Sequence, residues 1–319
     1  MKGFKNILYV LGPQTNESSP SWKRAVSLAK NNQADLTLLR VLPEVSLSSY
    51  ARKYHVNGQE LQQKVLEHED SELRRLLSLL EAECNASAEL MVGKRHVEII
   101  RAVQMKNIDG VIKETDATSW LDRFFGSDDM NLLRRCPCPV WLMKQNEKPD
   151  YRHIMAAVAF DGDDEDINDG LNEMILNLAS SLSLSDFASL HVVNIYDVPE
   201  AGFVSLWVEQ PDRVRSELFE DEYRRSHYKM RVLLDSLKEN IGEEAYRYLS
   251  PISHVVKGIP DREIPRMAEA VKADLVVMGT VARAGIAGAV IGNTAEAILA
   301  QIDCSVLAIK PEGFVSPVS

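Results

Sequence analysis

Gly279, Ala282, Gly292, Asn293 and Thr294 stand at a spacing that can cradle an anion: Gly279, two residues, Ala282, nine residues, then Gly292-Asn293-Thr294. Before them, the apolar run Leu275 to Met278 reads as a fully buried strand. After them, Thr294-Ala-Glu-Ala-Ile-Leu-Ala reads as a helix. A strand, a glycine-spaced loop and a helix N-terminus offer backbone N–H groups and partial positive charge to a phosphate. The expected chemistry is nucleotide binding, with Thr280 in the same loop. The competing reading is a tight turn that packs a helix on a sheet without any ligand. Ala282 adds a methyl group that restricts positive φ. Asn293 can donate through its amide, and Thr294 carries a hydroxyl.

Other residues invite weaker chemical readings. The run Asp161-Gly-Asp-Asp-Glu-Asp166 is either a Mg²⁺ platform or a solvated loop whose acids favour the next helix N-terminus. The second is expected. Cys136-Pro-Cys138 lacks a partner pair at zinc spacing, so the cysteines read as small apolar residues. The histidines 55, 68, 96, 153, 191, 227 and 254 are scattered and form no His-Glu-x-x-His pair. There is no Gly-x4-Gly-Lys-Ser/Thr loop and no Gly-x-Ser-x-Gly turn. Robust catalysis is not expected, because an ATPase needs a positioned base and metal.

The elements that must position these residues occur twice. Asp109-Gly-Val-Ile-Lys-Glu-Thr115 matches Asp274-Leu-Val-Val-Met-Gly-Thr280, and Cys138 to Lys144 matches Cys304 to Lys310. Gly93 with Glu98-Ile99 matches Gly258 with Glu263-Ile264. Ile7 to Leu11 matches Ile154 to Val158. The period is too long for a solenoid, so two domains are expected, at 1–147 and 151–312, joined by the polar run Gln145 to Asp150.

In the first copy, strands are expected at Ile7–Leu11, Leu36–Leu42, Leu90–Val92, Gly110–Lys113 and Val140–Met143. Helices are expected at about Ser21–Asn31, Gly58–Glu83 and Val97–Met105. Such alternation predicts an α/β fold: two tandem doubly wound domains, each a parallel sheet flanked by helices, with ligand sites at the strands' carboxyl ends. The apolar last strands should lie at sheet edges, which need pairing.

The Gly279…Ala282…Gly292-Asn293 spacing is similar to the ATP motif of the universal stress protein family, Gly-x2-Gly-x9-Gly followed by Ser or Thr. Ala282 and Asn293 depart from it. Almost the whole chain resembles the tandem-type members. The resemblance implies an adenine nucleotide alpha hydrolase-like fold, cytoplasmic location, homodimerisation and stress survival; in one branch it also implies resistance to DNA-damaging conditions. It implies ATP or another adenine nucleotide with Mg²⁺ as ligand, and a pocket bordered by Gly258 and Pro260. Structurally these two also suit a strand-to-helix turn. The family often places a carboxylate after the first strand; here Gly12 and Ala159 stand there, two residues before Asp161 in the second copy. The first copy is degenerate: Glu114 and Ala117 replace the glycines and Gly126-Ser127 remains, with Arg95-His96 as nearby positive charge.

Composition narrows the partners. Lys plus Arg is 36 and Asp plus Glu 47, a net charge of −11, so DNA phosphates would repel the chain and direct nucleic-acid binding is not expected. No apolar run approaches the ~20 residues of a membrane span. The N-terminus shows no signal-peptide pattern, so a cytoplasmic location is expected. Two other readings stay open. Ile286, Ala287, Ala289, Val290 and Ile291, with an insertion around Phe203–Trp207, suit a hydrophobic or acyl-type ligand, or packing on a partner. A weak ATPase is the third.

Overall fold

The computed structural model describes residues 3–13, 15–44, 58–115, 127–144, 147, 150–160, 170–280 and 292–318. The described residues fall into two compact units, 3–147 with 315–318 in one and 150–280 with 292–314 in the other.

Among its described residues, the N-terminal unit runs β1 (Asn6–Val10), α1 (Pro20–Asn32), β2 (Asp35–Leu42), α2 (Gly58–Ser78), β3 (Ala86–Val92), α3 (Arg95–Met105), β4 (Gly110–Glu114), α4 (Ser127–Arg135) and β5 (Val140–Met143). Its strands are parallel, in the order β3-β2-β1-β4-β5. Inner strands are near-continuous apolar runs because helices cover both faces: Ile7, Leu8 and Tyr9 of β1 are fully buried.

Two boundaries differ by more than two residues from the sequence expectation. Helix α2 ends at Ser78 and not Glu83, because the chain tightens into i to i+3 bonds at Leu79, Leu80 and Glu83. Strand β3 starts at Ala86 and not Leu90, because pairing with β2 extends the ladder to Leu36↔Ala86 beyond the apolar run. It is the half-exposed outer strand of its sheet.

The C-terminal unit repeats the plan: β6 (His153–Val158), α5 (Gly170–Asp186), β7 (Ser189–Tyr196), α6 (Ala201–Ser205), α7 (Pro211–Ile241), α8 (Glu243–Leu249), β8 (Ile252–Lys257), α9 (Pro260–Ala270), β9 (Leu275–Gly279), α10 (Asn293–Leu299) and β10 (Ser305–Ile309). The parallel order is β10-β9-β6-β7-β8. The chain leaves β6 towards β7 and β8, then returns to β9 on the other side of β6. The carboxyl ends of β6 and β9 are therefore the topological switch point. Within each unit the final strand, β5 or β10, pairs with its neighbour β4 or β9. No described helix is long and apolar enough to cross a membrane.

The aspartates that open the repeated motif have one job in both units. Asp109 accepts from the amides of Lys5 and Asn6 at 2.7 and 3.0 Å; Asp274 accepts from those of Arg152 and His153 at the same distances. Each ties the start of the fourth strand's motif to the chain entering the first strand. That contact explains why the acid recurs.

Candidate functional site

A cavity of about 290 Å³ lies at the carboxyl ends of β6 and β9. Ala157 and Val158 come to it from β6, and Met278 and Gly279 from β9. Helix α5 contributes Leu171, Asn172 and Ile175, α9 contributes Pro260 and Ile264, and α10 contributes Thr294, Ala295 and Ile298. The wall is mainly aliphatic, with Thr280, Asn172 and Thr294 as its polar side chains.

Of the residues singled out by sequence, Gly279, Thr280, Gly292, Thr294 and Pro260 line this cavity. Gly258 and Asn293 do not. Gly258 has φ +153, and a Cβ there would meet Cγ of Glu263 at 2.5 Å, so its glycine serves the turn into α9. Asn293 opens α10 as an exposed residue. Ala282 lies outside the described residues, as do Ile286–Ile291, Ala117, Gly126 and the acidic run from Asp161.

The glycines serve packing more than expected. A Cβ on Gly279 would meet Leu171 Cδ2 at 3.0 Å, so this glycine lets α5 approach β9. The amide of Gly292 already donates to the carbonyl of Thr280 at 3.0 Å, pinning the start of α10 to the end of β9. That N–H is not available to a phosphate. Gly292 itself has ordinary extended angles, φ −62 and ψ 140.

Where the family often has a carboxylate, Ala159 is held by Asn172. The Asn172 Nδ2 donates to the Ala159 carbonyl at 2.7 Å, and its Oδ1 accepts from the Ala159 amide at 3.2 Å. Asn194 Nδ2 donates to the neighbouring Val158 carbonyl at 3.3 Å. These buried carboxamides fix the strand end that floors the cavity. A carboxamide has two donors and two acceptor lone pairs, so Asn172 keeps one of each for a ligand. Sequence reading missed it: its signal was an amide in the first turn of α5, between Leu171 and Glu173.

Thr280 is 1% exposed, and the Lys310 ammonium, also buried, donates to its Oγ1 at 2.6 Å. The resemblance also implies magnesium, which needs oxygen ligands, above all carboxylates. The cavity wall offers no carboxylate among the described residues, and no cluster of three metal-ligating side chains occurs among them. The described residues therefore do not fit a resident magnesium ion.

In the N-terminal unit the equivalent position to Gly279 is Glu114. Its carboxylate accepts from the Ser21 hydroxyl, and Tyr9 Oη pairs with Ser21 Oγ at 2.6 Å. Burial pushes the Tyr9 phenol up, so it stays neutral. Arg40 donates to the Gly12 carbonyl. Side chains thus occupy the ground that the cavity takes in the second copy. His96, considered above as positive charge, is paired with Asp128 at 2.7 Å.

The cysteines show no reactive environment. The Cys136 and Cys138 sulfurs are 3.7 Å apart and buried, and their mutual hydrogen bond, then burial, pushes the Cys138 thiol well up. The insertion does not reach the cavity: Phe203 and Trp207 are 66% and 76% exposed and touch each other, with ring centroids 6.2 Å apart.

The description of the Universal stress protein family matches residues 3–144 and 151–310. A Universal stress protein E homolog from Haemophilus influenzae is 29% identical over 318 residues, 97% of this chain and 98% of that one. Universal stress protein E from Photorhabdus laumondii is 26% identical over 324 residues, 100% of this chain and 98% of that one. A solved structure of a functionally unknown protein from Pseudomonas aeruginosa PAO1 matches with a TM-score of 0.65 at 26% identity, over 97% of this chain and 93% of that one. Full-length similarity, two matched domains and the duplicated sheet agree: this chain belongs to the universal stress protein family as a tandem of two such domains, and with that family it takes part in the stress response.

Proposed function

We propose that the C-terminal unit is a ligand-sensing domain that binds an adenine nucleotide and regulates survival under stress. The cavity at the β6–β9 switch point carries this reading: it has an aliphatic wall with a few converging polar groups. Such clefts suit a flat, weakly polar base with a polar tail. Thr280 and Thr294 offer hydroxyls to that tail, and Asn172 offers a donor and an acceptor to a base edge. The N-terminal unit is a structural partner in this reading, since Glu114 would oppose a phosphate.

Binding, and not turnover, is the proposed activity. No described wall residue is a carboxylate or imidazole able to act as a base. Nucleotide is bound without a magnesium site supplied by the described residues. Homodimerisation, a cytoplasmic location and an indirect part in resistance to DNA damage belong to the same proposal. The net charge of −11 argues against direct contact with DNA.

The aliphatic dominance of the wall favours a second reading, a hydrophobic or acyl-type ligand. Native mass spectrometry of freshly purified protein, with and without ATP, separates the two. An ATP-sized mass shift supports the nucleotide reading. A co-purified lipid-like mass with no ATP shift overturns it in favour of the second.

A further inference from the structure

The contact between Lys310 and Thr280 reaches beyond the shape of the cavity. Every main-chain polar group of Thr280 is engaged: its amide donates to the Ile309 carbonyl at 3.2 Å, and its carbonyl accepts from Gly292. Its Oγ1 accepts from the Lys310 ammonium at 2.6 Å. An ammonium has donors and no acceptor, so the direction of this hydrogen bond is fixed. The Thr280 hydroxyl must therefore spend its own proton elsewhere, and the described residues supply no acceptor for it. Thr280 lines the cavity and is otherwise closed off from solvent. The neighbouring positive charge polarises that O–H and makes it a stronger donor.

We propose that Lys310 is the positioning residue that makes the C-terminal cavity selective for ligands with an anionic oxygen, a phosphoryl group above all. Lys310 acts through Thr280: it turns the hydroxyl into a fixed donor and places a cationic head one hydroxyl away from the ligand. Phe314, whose ring centroid is 5.2 Å from the ammonium, helps hold that head in place. At Thr280 a ligand N–H or O–H meets an oxygen with one lone pair already taken by the ammonium, whereas an anionic oxygen meets the polarised hydroxyl proton, so the anionic oxygen is favoured there. This selectivity rests on the nucleotide reading above.

The test is equilibrium binding of ATP and of adenosine to the full chain and to Lys310→Met, Lys310→Arg and Thr280→Val. The wild type should prefer ATP. Lys310→Met should lose about tenfold in ATP affinity, the scale of one charge-assisted hydrogen bond, while adenosine affinity holds. Lys310→Arg, also a pure donor, should retain most of the preference. Thr280→Val keeps the side-chain volume and should lose as much as Lys310→Met, so it gives an answer even if Lys310→Met does not fold. An unchanged ratio of ATP to adenosine affinity in Lys310→Met or Thr280→Val overturns this inference and leaves the nucleotide reading intact. A wild type that binds neither compound overturns both.

Discussion

Asn172 grips the main chain of Ala159 at both of its polar groups, at 2.7 Å through Nδ2 and 3.2 Å through Oδ1. This side chain, 2% exposed, substitutes for an extra residue of backbone pairing where β6 runs out. Asn172→Leu keeps the volume and removes both bonds. Leaving such groups unpaired costs about 1–3 kcal/mol. Urea denaturation should show a loss in that range, and a loss under about 0.5 kcal/mol, the usual size of surface effects, would contradict the assigned role.

Lys113 and Asp129 form a buried pair in the N-terminal unit, 2.7 Å apart with side chains 4% and 0% exposed. Lys113 also donates to the Glu114 carbonyl at 2.8 Å, so the pair braces the residue that fills the degenerate site. Asp129→Ala leaves a buried ammonium facing a void and should cost about 3–5 kcal/mol. The double variant Lys113→Met, Asp129→Leu should recover much of that loss. Thermal and denaturant unfolding of the three proteins checks the order.

Three histidines meet on one face of the C-terminal sheet. His191 Nδ1 and His254 Nε2 are 3.1 Å apart, and the His153 ring lies 5.7 Å from that of His191. The nitrogen pair needs one donor and one acceptor, which a doubly protonated pair cannot supply. Burial, then the neighbouring His254 and His153, holds His191 below its ordinary 6.5, and burial does the same for His254. With folded values depressed, the unfolded chain takes up protons first. Stability is then full above about pH 6.5 and falls as pH drops through the folded values. The melting temperature should decline from pH 7.5 to 5, and His191→Gln with His254→Gln should flatten that decline. An equal decline in the double variant would assign the effect to other groups.

Gly279 earns its place by packing. A methyl group there meets the end of Leu171, a flexible side chain that can give by a few tenths of an ångström. Gly279→Ala should therefore cost about 1–2 kcal/mol, as modest overpacking does. Gly279→Val should cost more, and both should shrink the cavity and weaken ligand binding. Calorimetric melting beside ATP titration separates the two effects.

The sequence announced the fold through repetition. The matched runs from Asp109 and Asp274 share a strand and also a capping contact, so pattern and physics coincide there. Apolar runs located the inner strands, whereas β3 was legible only in its last residues because a half-exposed outer strand takes its length from its partner. The site was half legible. Gly279, Thr280, Gly292 and Thr294 announce themselves by spacing, yet two of them serve packing and main-chain pairing. Asn172, Ile264 and Ile298 come from helices far apart in sequence, and only the sheet topology brings them to one cavity. Lys310 was visible as the close of a repeat; its reach to Thr280 depends on the register of β9 with β10, in which Gly279 pairs Ile309.

The central claim is that one copy binds nucleotide and the other does not. Titration calorimetry of ATP into the full chain and into Gly292→Asp, which sets a carboxylate in the cavity wall, tests it most directly. The account predicts one ATP per chain in the wild type and none in the variant. No binding to the wild type, two sites per chain, or undiminished binding to Gly292→Asp would contradict it.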